Sequence, residues 1–158
     1  MSKIIFGLVA FFIIVFDQLT KLWVTTNLSF NESIWETGFF RITIVHNTGA
    51  AFGIFQGSTL PLIVIRFIGA IAILVVVFLY GKRVQALGGL LAMIALGLLF
   101  GGTVGNLIDS LRLGYVVDFL DFNYWPTFNI ADSSVVVSMI IIAYLLIRTA
   151  THENKKAD

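Results

Sequence analysis

The sequence contains no cysteine, which removes disulfides, thiolate metal sites and a cysteine nucleophile from consideration. Histidine is nearly as scarce. His46 and His152 are the only two, too few to make a metal site by themselves, and His152 lies in a polar C-terminal stretch. Charged residues make up 12% of the 158 and the net charge is +1, against about a quarter charged in an ordinary soluble domain. No basic stripe with interleaved aromatics occurs, so no nucleic-acid partner is expected. Internal repeats, coiled-coil heptads and low-complexity tracts are also absent.

What fills the chain is apolar: 58% of residues are hydrophobic and the mean hydropathy is +0.97. This is the composition of an integral membrane protein, long enough for one compact domain of four spans of about 20 residues each. The first span covers about residues 4–26. Its start, Lys3 followed by Ile4 to Phe16, resembles the opening of a signal peptide. No small-x-small cleavage site follows, however, and the stretch continues as DQLTKLWVTT, which can span if Asp17, Gln18 and Lys21 face protein. Residues 60–80, 86–108 and 130–147 form the other three spans.

Between the first two spans the chain is polar enough to leave the bilayer. FFRITIV, Phe39 to Val45, alternates and is rich in β-branched and aromatic residues, so it reads as a strand of a small surface sheet. The small residues of HNTGAAFG, His46 to Gly53, would let another backbone approach closely. Lysine and arginine gather at the N-terminus, between spans two and three and after span four, which puts both termini in the cytoplasm. The loops over residues 27–59 and 109–129 then lie on the outer side. Asp17, Lys21, Asn106, Asp109 and Asp132, from three helices, come to one depth near the outer face.

The segment from Val116 to Ser134 concentrates carboxylates where charge is costly. Ionisable groups at membrane depth are rare unless paired, bathed in a wet cavity or chemically active. Asp118 and Asp132 can be read as a pair that shares a proton, one activating water and the other protonating the carbonyl or leaving group. They can also be read as a solvated loop residue and a cap for span four. Asp17 and Lys21, four apart on a helix, are placed to pair, although Lys21 could snorkel to lipid phosphate. Gly101, Gly102 and Gly105 form a small-residue face for helix packing. Asn106, an amide inside a span, needs a partner, and orienting a carboxylate would supply one.

Several residues stay open on this reading. Asn47 is a turn former or a contact for a bound peptide backbone, and Asn129 is a helix N-cap or a site residue. Arg41, Arg66 and Arg112 are placed to pair with aspartates or lipid phosphates, with Arg66 also able to snorkel. His46 reads as a surface residue. Trp35, Trp125 and Trp23 fit an interfacial aromatic belt.

Taken together, DQLTK at Asp17 to Lys21, NTGAAF at Asn47 to Phe52, GGTVGNLID at Gly101 to Asp109, VVDF at Val116 to Phe119 and FNIADS at Phe128 to Ser133 resemble the lipoprotein signal peptidases, or signal peptidase II. The resemblance covers nearly the whole chain in the family's order and spacing. It implies an all-α membrane protein, four transmembrane helices with a small extracytoplasmic β-sheet cradle between helices 1 and 2. The implied activity is metal-independent aspartic endopeptidase cleavage of diacylglyceryl-modified prolipoproteins, just before the lipid-modified cysteine. It further implies a monomer without cofactor in the bacterial cytoplasmic membrane, whose partners are the lipid-modified signal peptide and membrane lipid. Asp118 and Asp132 match the catalytic dyad. Asp17, Lys21, Asn47, Gly49, Asn106, Asp109 and Asn129 match positions with supporting or substrate-contacting roles. The family's GN-x-x-DR run is broken, because Ser110 follows Asp109 and the nearest arginine is Arg112.

Two other functions compete. A proton-coupled transporter would need polar groups through the full membrane thickness, whereas here they gather at one level. An assembly factor would use the acidic loop for docking and would not depend on Asp118 or Asp132.

Overall fold

The structure, a computed structural model, describes residues 2–30, 32–49 and 57–157. The elements in chain order are α1 (Ser2–Asn27), β1 (Ser33–Thr37), β2 (Phe40–Asn47), α2 (Thr59–Leu79), α3 (Gly81–Leu113), β3 (Val116–Asp121) and α4 (Ile130–Ala157). All four helices are long and apolar enough to cross a membrane. Their exposed faces carry Phe11, Phe12, Phe67, Ile68, Ile140 and Leu146. In water this would be a liability; against lipid it is the expected solvent-facing surface.

α3 is the axis of the bundle, in contact with α1, α2 and α4, while α2 and α4 flank it without substantial contact with each other. Glycine makes this possible. A Cβ at Gly97 would come within 2.9 Å of the Phe6 carbonyl oxygen, and one at Gly101 within 2.8 Å of the Ile13 Cβ, both on α1. A Cβ at Gly102 would meet the Ala131 carbonyl and the Ser134 hydroxyl of α4, and one at Gly105 would lie 2.7 Å from the Asp17 carboxylate. Positions 97, 101 and 105 are four apart, the spacing that lets two helix backbones close up where no hydrophobic effect drives them together. The packing role expected for Gly101, Gly102 and Gly105 is what the structure shows.

α3 begins at Gly81 rather than near Ala86, and Tyr80 alone separates it from α2. Gly89, with φ 57° and ψ −131°, breaks the helical path inside it, a conformation that favours glycine. At its other end Gly114 caps the helix in the left-handed region, its N–H bonded to the Ser110 carbonyl.

The sheet is antiparallel in the order β1-β2-β3. Its third strand comes from the chain between α3 and α4, which the sequence reading treated as loop. β2 pairs with β3 through Ile42↔Leu120 and Val45↔Asp118, with an irregularity between the two pairs. β3 is buried at Val116, Val117, Asp118, Phe119 and Asp121, so Asp118 is not a solvated loop residue. One side of the sheet rests on the end of α1 through Val24, Leu28, Ile42, Ile44 and Phe119. A second apolar cluster of Phe6, Ile73, Val77 and Met93 closes the far end of the bundle. Between these clusters lies the polar level that carries the site.

If the α3–α4 contact sets the bundle, Gly102→Ala should lower stability to unfolding in detergent by about 1–3 kcal/mol, the usual cost of overpacking a closed contact. Gly7→Ala, where nothing lies within 4 Å of the added Cβ, should leave it unchanged or slightly raised, since alanine is the better helix former.

Candidate active site

The polar level starts at Lys21. Its ammonium is 2.8 Å from Asp17 Oδ2 and 2.8 Å from Asp109 Oδ2, and all three side chains are at most 5% exposed. Lys21 also donates to Asn106 Oδ1 at 3.0 Å. The pairing expected of Asp17 and Lys21 is thus present, extended by Asp109 from α3, and a snorkelling Lys21 is ruled out by its burial. Gln18 donates to Asp17 Oδ2 at 3.2 Å and Asp109 Oδ1 at 2.9 Å. Removing one member of such a buried cluster leaves an uncompensated charge, typically at a cost of roughly 3–5 kcal/mol.

From this cluster two bonds reach the chain that carries Asp118 and Asp132. Asp17 Oδ1 accepts the Ala131 N–H at 2.9 Å, one of the first amides of α4 that has no partner within its own helix. Asp109 Oδ2 accepts the Val117 N–H of β3 at 3.2 Å. Each carboxylate paired with Lys21 therefore holds the backbone next to Asp132 or Asp118.

Asn129 is a helix cap whose side chain also reaches Asp118. It caps α4, its Oδ1 accepting the Asp132 N–H at 2.8 Å while Asp132 Oδ2 accepts the Asn129 N–H at 3.3 Å, a reciprocal capping box. Its side-chain amide donates to Asp118 Oδ1 at 2.7 Å and to Asn106 Oδ1 at 3.1 Å. Asn106 in turn donates to Asp132 Oδ1 at 2.7 Å. Asn47 donates to Asp118 Oδ2 at 2.8 Å, and its Oδ1 accepts the Gly49 N–H at 2.9 Å. Asn47 is thus a turn former whose amide also reaches Asp118. Ala50 to Gly53, the rest of the small-residue segment, lie outside the described residues.

Asp118 and Asp132 line one cavity of about 850 Å³ together with Asn47, Gly49, Arg66 and Asn106. Its remaining wall is largely apolar and includes Val45, Val116, Phe128 and Val135 to Val137. Burial pushes the Asp118 carboxyl up to about 7; the Asp132 charge adds to the rise, and the Asn47 and Asn129 amides oppose it. A carboxyl group that keeps its proton near neutrality beside a second carboxyl group can serve as acid while the other serves as base.

The arginines separate. Arg41 pairs with Asp121 at 2.7 Å, which takes the third carboxylate of the segment out of the site. Arg112 is exposed on the last turn of α3. The guanidinium at Ser110 is that of Arg66, whose Nη1 donates to Ser110 Oγ at 2.5 Å. Sequence reasoning left Arg66 among snorkelling candidates; the signal available was a lone cation in an otherwise apolar span. His46 is exposed on β2 and stacks on Tyr115 with ring centroids 3.9 Å apart. Trp23 stacks on Trp35 at 6.1 Å, at the sheet end of α1.

Comparison with known proteins places this arrangement in context. A lipoprotein signal peptidase of Dehalococcoides mccartyi is 48% identical over 134 residues, 85% of this chain and 83% of that protein. One of Moorella thermoacetica is 40% identical over 152 residues, 96% of this chain and 98% of its own. A solved bacterial membrane enzyme superposes with a TM-score of 0.80 at 32% identity, covering 93% of this chain and 90% of its own. The family model described as signal peptidase (SPase) II matches residues 9–148, and the chain belongs to that family.

Proposed function

We propose that this protein is an aspartic endopeptidase of the membrane, which removes the signal peptide from diacylglyceryl-modified prolipoproteins by cutting before the lipid-modified cysteine. The observation that carries the reading is the pair Asp118 and Asp132 on one cavity wall, bridged through Asn129 and Asn106 and with Asp118 pushed up to about 7. The membership in the signal peptidase II family supports the substrate class.

In the proposed reaction the pair holds one proton. The ionised carboxylate takes a proton from water as the oxygen attacks the scissile carbonyl, and the protonated partner gives its proton to the carbonyl oxygen. Collapse of the tetrahedral intermediate returns a proton to the leaving nitrogen. Asn47 and Asn129 fix Asp118 on both oxygens, while Asn106 fixes Asp132. Held geometry of this kind is worth more than proximity alone, since small misplacements cost large factors in rate.

Placement at the membrane edge follows from the substrate. A lipidated signal peptide is itself a membrane helix, so its scissile bond lies where hydrocarbon gives way to water. The cavity lies beside the sheet, between the wall of α4 at Val135–Val137 and Arg66 of α2, and α2 and α4 do not close on each other. Substrate enters laterally through that gap. The sheet faces outward in the bacterial cytoplasmic membrane, with both termini in the cytoplasm. Asp17 and Asp109 are engaged by Lys21, and in this reading the dyad works on water directly, without a metal ion.

Asp118→Asn and Asp132→Asn should each reduce cleavage of a lipidated prolipoprotein by at least about 10³-fold, the scale seen when a reacting group is removed, while the protein stays folded in detergent. Normal turnover by either variant would sink the assignment. Chelators should leave the wild-type rate unchanged. Because deprotonation of Asp118 near 7 leaves two carboxylates and no acid, kcat/KM should fall as pH rises through neutrality, approaching about tenfold per unit. A rate that climbs with pH up to 9 would contradict this assignment of roles.

A further inference from the structure

Among the described residues, Arg66 is the one lysine or arginine that lines the cavity. It is partly buried, and its hydrogen bond among the described residues is the single one from Nη1 to Ser110 Oγ. Ser110 is itself fixed by donating to the Asn106 carbonyl at 2.8 Å. The ion pairs among the described residues belong to Lys21 and Arg41; Asp132, Asp118 and Asp109 act on Arg66 through their charge from beyond contact distance, and none of them takes up its N–H donors. A guanidinium has five N–H donors in a rigid fork. One neutral hydroxyl leaves most of that fork unused at a depth where unpaired charge is costly.

Position says what the fork faces. Arg66 lies about 10 Å along α2 from Thr59 at 1.5 Å per residue, and its head reaches Ser110 in the last turn of α3. That is the sheet end of the bundle, the level at which hydrocarbon meets polar headgroups. Across the gap stand Val135, Val136 and Val137 of α4, and Val136 and Val137 are about half exposed on the lipid side. The other polar groups of the cavity wall, among them Asn47, Asn106, Asp118 and Asp132, lie with the carboxyl pair and are available to the peptide part of a substrate. An acyl chain lying along the valines would bring only one kind of polar acceptor to this level, the carbonyl oxygens of its ester links.

We propose that Arg66, braced by Ser110, anchors the lipid-bearing half of the substrate by donating to an ester carbonyl oxygen of the diacylglyceryl group in the gap between α2 and α4. This rests on the peptidase reading above. It makes Arg66 a substrate-binding residue that reads the chemistry of the lipid link.

The test compares two substrates of one peptide sequence with the purified full-length protein: a prolipoprotein bearing the ester-linked diacylglyceryl group, and an analogue bearing an ether-linked dialkylglyceryl group, which has no carbonyls. Wild type should prefer the ester substrate by about tenfold in kcat/KM, about 1.4 kcal/mol, the scale of one charge-assisted hydrogen bond. Arg66→Gln should raise KM for the ester substrate by about tenfold, change the ether substrate by less than about twofold, and so abolish the preference. Arg66→Lys should keep part of it. Ser110→Ala, which leaves the cation in place and serves if Arg66→Gln does not fold, should raise KM for the ester substrate alone by about threefold. An equal loss on both substrates in these variants, or a lower kcat at unchanged KM, would overturn the proposal. A wild-type protein that cuts neither substrate would instead overturn the peptidase reading.

Discussion

The rest of the structure depends on a single buried ammonium. Lys21, 4% exposed, stands between Asp17 of its own helix and Asp109 of α3. Stripping the solvent from these groups is expensive, and only close geometry with every lone pair used makes such a cluster tolerable. Here the spare oxygens are used on backbone: Asp17 on Ala131, at the start of α4, and Asp109 on Val117, in β3. An ion cluster that would add little to stability by itself thus fixes the two places from which Asp118 and Asp132 project.

The glycines of α3 serve the same end by a different route. Without side chains at Gly101, Gly102 and Gly105, α1 and α4 come close enough for Asp17 to lie against Gly105 and Ala131. Two asparagines then carry the order from the cluster to the dyad. Asn106 takes Lys21 on its oxygen and gives its amide to Asp132, while Asn129 touches Asn106 and Asp118 and caps α4. Charge sits at one end of this chain of amides, and proton transfer is assigned to the other.

The helices were legible because spans of this length and hydropathy have no other stable form in a bilayer, and the depth of Asp17, Asn106, Asp109 and Asp132 followed from counting residues along them. β3 was not legible. VVDFLD has the composition of a strand, but its membership in the sheet depends on a pairing with β2 some seventy residues earlier, and no local pattern encodes that. Asn47 and Asn129 each carry two readings in the sequence; the structure shows the turn at Asn47 and the cap at Asn129, with both side-chain amides donating to Asp118. Arg66 stays between pairing and snorkelling for a related reason: a cation near the end of a span looks the same in sequence whether it snorkels or turns inward to Ser110. The selection of Asp118 over Asp121 comes from the resemblance; in the structure Asp121 is engaged by Arg41 at 2.7 Å, while Asp118 lines the cavity.

At the centre of the account is a carboxyl pair that keeps one proton near neutral pH because Asp118 is buried beside Asp132. Infrared difference spectroscopy of the purified protein, titrated from pH 5 to 9, reads that proton directly through the carbonyl stretch of a protonated carboxyl group. The account predicts a band that disappears around pH 7 in the wild type and is missing from Asp118→Asn. A spectrum with no carboxyl band titrating near neutrality, or the same band retained in the variant, would contradict it.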